Sequence, residues 1–126
     1  MKFAIFTALA LTSLFGVDGY EVFQKKCSKC HIESITKKET LKIFKTLKAP
    51  PMIEVSNRLK ENIIIADDDD EVKRRVVIAF IKDYIQHPDL EYSMCHAMAI
   101  ERFGIMPSQK ENLTQDEIEA FSFHIS

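Results

Sequence analysis

The stretch Cys27-Ser28-Lys29-Cys30-His31 restricts what this 126-residue chain can fold into more than any other. Two cysteines three positions apart lie about one helical turn from each other, so their sulfurs emerge on the same side. That spacing matches the two vinyl groups on one edge of a porphyrin. The residue that follows supplies an imidazole for the iron, and the whole is the pattern of covalent haem attachment. A chain carrying it is expected to wrap a flat, apolar ligand, with Cys27 and Cys30 as thioethers and His31 as proximal ligand.

The composition allows one small helical domain around such a ligand. Residues of hydrophobic type make up 46% of the chain and only three are glycine, which favours packed helices over a sandwich or a disordered tail. A net charge of -2 makes no case for nucleic-acid binding. The charge is unevenly spread, however. Residues 21–50 hold eight lysines (25, 26, 29, 37, 38, 42, 45 and 48) against three glutamates, whereas residues 51–126 hold eight Lys or Arg against fifteen Asp or Glu. A basic segment beside the CxxCH therefore joins an acidic body, either as a solvated face or as a patch that steers a partner.

Lys2 precedes an uncharged run over residues 3–17, and Asp18 closes it. This reads as the n-region and h-region of a secretory signal peptide, and it is shorter than the roughly 20 apolar residues of a spanning helix. No A-x-A motif is present, and Gly16 and Gly19 are the small residues on offer. We expect a leader over 1–16, cut between 16 and 19, and a single mature domain over 17–126. Membrane association is expected only if the leader is retained. Export suits the motif, because the thiols must meet haem outside the cytoplasm. Cys95 is left over, either buried and free or open to intermolecular pairing.

Along the mature chain the pattern is helical throughout. Asp18 caps a first helix through Tyr20, Phe23 and Cys27. Thr36 to Glu39 has capping-box spacing before Leu41, Phe44 and Leu47, and Ala49-Pro50-Pro51 ends that run. Ile53, Val55 and Leu59 give an amphipathic pattern too weak to assign an element. The carboxylates of Asp67 to Glu71 oppose the positive end of a helix dipole and one of the later aspartates caps the next helix, in which Val72, Val76, Ala79, Phe80 and Tyr84 form an apolar face widened by Val77, Ile81 and Ile85. Their consecutive placement lacks the spacing of a calcium loop. His87-Pro88 ends that helix. Ser93 opens another through Met98, Ile100 and Phe103 to Gly104, and Thr114 to Glu117 forms a second capping box before Ile118, Phe121 and Ile125.

An iron held by His31 has a second axial position. Met52, Met94, Met98, Met106, His87, His96 and His124 are the available side chains, and a methionine at helical spacing is more often core. Met106 differs in lying in a loop between Gly104 and Pro107. These residues bring out a likeness. Gly19, Phe23 and Cys27, the run Arg102-Phe103-Gly104-Ile105-Met106-Pro107-Ser108 with Leu113, Thr114 and Glu117, and Phe80 to Ile85 together resemble class I c-type cytochromes, most of all small periplasmic monohaem cytochromes of bacteria. The resemblance implies an all-α, cytochrome c-like fold of several short helices around one covalent haem c. It implies Met106 as distal ligand, the Pro50 carbonyl as acceptor for the proximal histidine, and Met52 as haem packing. His124 stands where that family carries an aromatic residue on its last helix.

With both axial positions filled, such a haem has no open iron site, so the expected role is a periplasmic electron carrier cycling Fe(III)/Fe(II), not an enzyme. The expected partners are redox proteins as donor and acceptor, and a monomer is expected. Two alternatives come from other classes. One is a haem enzyme or gas sensor in which Met106 is labile. The other is a Cys₃His structural zinc module built from Cys27, Cys30, Cys95 and His96.

Overall fold

The computed structural model describes residues 16–66 and 69–126, and the described residues are all-α, with no strand. The expected leader lies outside the described residues except for Gly16, as do Asp67 and Asp68. Among the described residues no helix is long and apolar enough to cross a membrane.

Helix α1 (Gly19–Val22) starts where Asp18 accepts the Tyr20 amide at 2.8 Å, satisfying one of the unpaired first-turn N–H groups. It does not continue as the regular α-helix expected from the sequence. Phe23–Cys27 forms a π-helical turn, closed by the Ser28 amide on the Phe23 carbonyl at 2.9 Å. Such wide turns carry no proline or glycine signature and occur mostly as single turns near functional sites. Here the turn delivers Cys27.

Helix α2 (Lys37–Ile43) has the expected capping box, with the Glu39 amide on Thr36 Oγ1 at 3.1 Å and the Thr36 amide on Glu39 Oε2 at 3.0 Å. Its Leu41 is 63% exposed, and the buried anchor of this region is Leu47, beyond the helix end. The weak pattern after Pro51 is a full helix, α3 (Met52–Asn62), which buries Met52 and Leu59 and leaves Ile53 in solvent. Helix α4 (Asp70–Tyr84) is capped by Asp69, which accepts the amides of Glu71 at 2.8 Å and Val72 at 3.4 Å. The expected Val72–Val76–Ala79 face is a correction. Val72 and Val76 are 36% and 39% exposed and Ala79 is exposed. The buried line is Val77–Ile81–Ile85, which packs in one cluster with Ile118, Phe121 and Ile125, and of the expected face Phe80 is partly buried against that cluster.

Helix α5 (Ala97–Phe103) begins later than Ser93 because His96 caps it, accepting the Met98 amide on Nδ1 at 3.2 Å. Gly104 ends it at φ +68° and ψ -160°, a conformation that a side chain disfavours and glycine adopts without strain. Helix α6 (Gln115–Ile125) carries the second capping box, Thr114 with Glu117. It packs on α1 and α4. The α1–α6 contact is backbone on backbone: a Cβ on Gly19 would strike the Ala120 carbonyl and come within 2.7 Å of His124 Cβ. His124 meets the Tyr20 ring with centroids 5.5 Å apart, so it takes the place of an aromatic partner at this crossing.

Candidate cofactor-binding site

The π-helical turn ends in a tight bend, with the amides of Cys30 and His31 both donating to the Cys27 carbonyl, at 3.2 and 3.0 Å. Beyond it the chain runs alongside the start of α3. The Met52 amide donates to the Ile32 carbonyl at 2.7 Å and the Ile53 amide to the Glu33 carbonyl at 3.1 Å. These two bonds carry His31 to the Pro50-Pro51 corner. There its Nδ1–H donates to the Pro50 carbonyl at 2.7 Å. A ring nitrogen committed to a carbonyl fixes the tautomer and leaves Nε2 with its lone pair as a metal donor. Burial pushes the His31 pKa down, partly opposed by that same hydrogen bond, so the imidazole is neutral over a wider pH range.

His31, Cys27 and Cys30 line one cavity together with Pro50, Met52 and Met106, so the six residues singled out from the sequence converge on it. Its wall is mostly apolar: Val55 and Leu59 from α3, Phe80, Ile81, Tyr84 and Ile85 from α4, Ile100 and Phe103 from α5, and Phe121 and Ile125 from α6. Phe80 and Tyr84 stack with centroids 5.5 Å apart. Cys27 is half-buried and Cys30 exposed, so the thiol pair straddles the cavity edge. Burial, with Cys30 close by, pushes the Cys27 thiol up to about 11. It is protonated at neutral pH and a poor nucleophile for disulfide exchange.

Met106 is half-buried against the core, in a loop fastened to the end of α4. Ser108 Oγ donates to the Gln86 carbonyl at 2.6 Å and the Gln109 amide to the Ile85 carbonyl at 2.8 Å. Of the other side chains considered for the second axial position, Met52 and Met94 also line the cavity. Met98 is 51% exposed. The three remaining histidines are occupied elsewhere, His87 on Asp83 at 3.2 Å, His96 as the α5 cap and His124 on Tyr20. The zinc set is not assembled either. Cys95 lines the cavity with Cys27 and Cys30, but His96 is committed to its cap, and among the described residues no three His, Cys, Asp or Glu side chains are placed to hold a metal ion.

One wall residue was not singled out by the sequence. Arg58 follows Met52 and Val55 at helical spacing along α3, so it shares their face. Its Nη1 meets Glu61 Oε2 at 3.3 Å, while its Nε is buried without a hydrogen-bond partner. A buried donor left unpaired is costly and calls for an acceptor.

Fold and site thus define an all-α protein whose CxxCH motif opens onto an apolar cavity. No family model matches the chain, and no solved structure matches it. It belongs to the same family as a protein of Aquifex aeolicus (strain VF5) described as uncharacterized, to which it is 38% identical over 137 residues, covering 97% of this chain and 84% of that relative.

Proposed function

We propose that this protein is a class I c-type cytochrome, an exported, periplasmic electron carrier with one covalent haem c ligated by His31 and Met106. The observation that carries the reading is the 2.7 Å bond from His31 Nδ1 to the Pro50 carbonyl, at the wall of a cavity that also contains Cys27, Cys30 and Met106. The donor set fits the group. Two thiols at CxxC spacing suit two vinyl groups, the neutral imidazole offers Nε2, and the thioether of Met106 is a soft donor. The orphaned Nε of Arg58 suits a haem carboxylate.

Haem c, when bound, supplies a one-electron Fe(III)/Fe(II) couple. The chain's own residues set its terms. Pro50 holds the His31 ring in one orientation, which limits the rearrangement that accompanies electron transfer. The thioether of Met106 would favour the reduced state relative to a second imidazole, and the aliphatic and aromatic wall would act in the same direction by excluding water. Cys30 at the exposed rim leaves one edge open to a partner. His31 and Met106 would together hold the iron of a bound haem and leave it no site for a substrate, so the role proposed is electron transfer rather than catalysis.

The test is Met106→Ala in the purified mature protein. The wild type is expected to show a haem c spectrum with the far-red band of methionine-ligated ferric haem, and the variant to lose that band and bind carbon monoxide readily. A wild type without the band that binds carbon monoxide as fast as the variant would overturn the ligation and favour the sensor reading.

A further inference from the structure

Arg102 is the penultimate residue of α5, two before Gly104 and four before Met106. Its Nη2 donates to the Lys45 carbonyl at 2.7 Å and to the Leu47 carbonyl at 3.2 Å. Both acceptors lie past the end of α2, in the segment that leads to Pro50. The guanidinium also sits 5.0 Å from the centroid of the Phe103 ring, whose neighbour across the same junction is Phe44, edge-on at 5.4 Å. One cation and one aromatic pair therefore make a single joint between α5 and the 44–47 segment. Phe103 on one side of it and Lys48, Ala49 and Pro50 on the other all line the cavity.

From this joint we infer that Arg102 is a positioning residue that ties the Met106 loop to the Pro50 corner, so that the placement of His31 and of Met106 depends on one brace. The inference rests on the haem reading above for its spectroscopic consequence. The Met106 loop is fastened at its far end to α4 through Ser108 and Gln109. At its near end Arg102 fastens it to the segment carrying the carbonyl that orients His31. Both bonds leave from the one nitrogen Nη2, held in place by a planar guanidinium lying against the Phe103 ring, and the shorter, non-planar side chain of lysine does not set an ammonium at that point. Arg102 is exposed, so its loss acts on the loops more than on global stability.

The experiment compares wild type, Arg102→Gln and Arg102→Lys with Arg75→Gln, which removes only a surface pair with Glu71 at 3.3 Å on α4. Uptake of imidazole by the ferric protein reads the hold on Met106. Hydrogen exchange at the Leu47, Met52 and Gly104 amides reads the brace without any cofactor. Arg102→Gln is expected to take up imidazole roughly tenfold faster, the effect of one lost charge-assisted hydrogen bond. It is also expected to lose protection at all three amides together, with Arg102→Lys following it and Arg75→Gln matching wild type. Wild-type uptake and protection in Arg102→Gln, or a lower melting temperature with both unchanged, would overturn the brace. Should Arg102→Gln not fold, Arg102→Lys decides by the same criteria. A wild type lacking covalent haem would sink the functional reading alone, since the exchange result still judges the brace.

Discussion

Replacing Gly19 by alanine tests the α1–α6 crossing that sets the CxxCH on the core. The added methyl would overlap the Ala120 carbonyl, which is backbone and has no rotamer to yield, and would press on His124 Cβ at 2.7 Å. Overpacking of this kind costs about 1–3 kcal/mol when the surroundings adjust. If α1 instead lifts off, Val22 and Phe23, now 4% and 3% exposed, return to water. Each would forfeit about 1.5–3 kcal/mol of burial, and the small helix-propensity gain of alanine at a first-turn position offsets little of it. The less costly response governs, and with an unyielding backbone carbonyl in the way, it falls at the upper end of the overpacking range, about 2–3 kcal/mol, read as a lower midpoint in urea denaturation followed by far-ultraviolet circular dichroism. Gly104→Ala isolates backbone strain: open space surrounds its Cβ, but φ +68° with ψ -160° is a conformation essentially confined to glycine, so about 1–3 kcal/mol is expected from the backbone alone. If Gly19→Ala leaves the midpoint where it is in the wild type, the close backbone approach is not what holds α1 to α6.

Other consequences can be measured in the same protein. Arg58→Gln removes a cation from the cavity wall, so the reduction potential should fall by an amount on the order of tens of millivolts; an unchanged potential would mean that Arg58 serves only Glu61. The eight lysines of residues 21–50 are all exposed, and if they steer an acidic partner the electron-transfer rate should drop several-fold as salt shortens the screening length from about 30 to 8 Å. A salt-independent rate would leave them as a solvated face. Hydrogen bonds from Thr36 hold the Glu39 carboxyl below its ordinary 4.5, and those from Thr114 do the same for Glu117. A depressed carboxylate contributes stability that is present above 4.5 and lost as pH falls through the lower folded value. Glu39→Gln combined with Glu117→Gln should therefore flatten the fall of melting temperature in acid, and an equally steep fall would refute that contribution.

What could be read from the sequence follows from where the signals are local. Both capping boxes and the Asp18 cap were legible because a cap is made by residues two or three apart, and the cap of α4 only to within the later aspartates of the 67–70 run. Cys27, Cys30, His31 and Met106 are singled out by CxxCH spacing and by a methionine in a loop, while Pro50 and Met52 come only from the family resemblance; the structure lines one cavity with all six. Position in the tertiary structure was less so. The buried line of α4 could not be chosen among several apolar lines until α6 was placed on it. The π-helical turn at Phe23–Cys27 has no compositional mark. Arg58 and Arg102 read as ordinary surface cations, since their roles come from a buried Nε and from carbonyls more than fifty residues away. Cys95-His96, met as a pair, divides into a cavity-facing thiol and a helix cap.

The most direct test of the whole account is the intact mass of the mature protein isolated from the exported fraction, taken with its visible spectrum. Covalent gain of one haem through Cys27 and Cys30 is expected, with loss of that mass in the Cys27→Ala, Cys30→Ala double variant. A mature chain with the mass of its polypeptide alone and two unmodified thiols would contradict it.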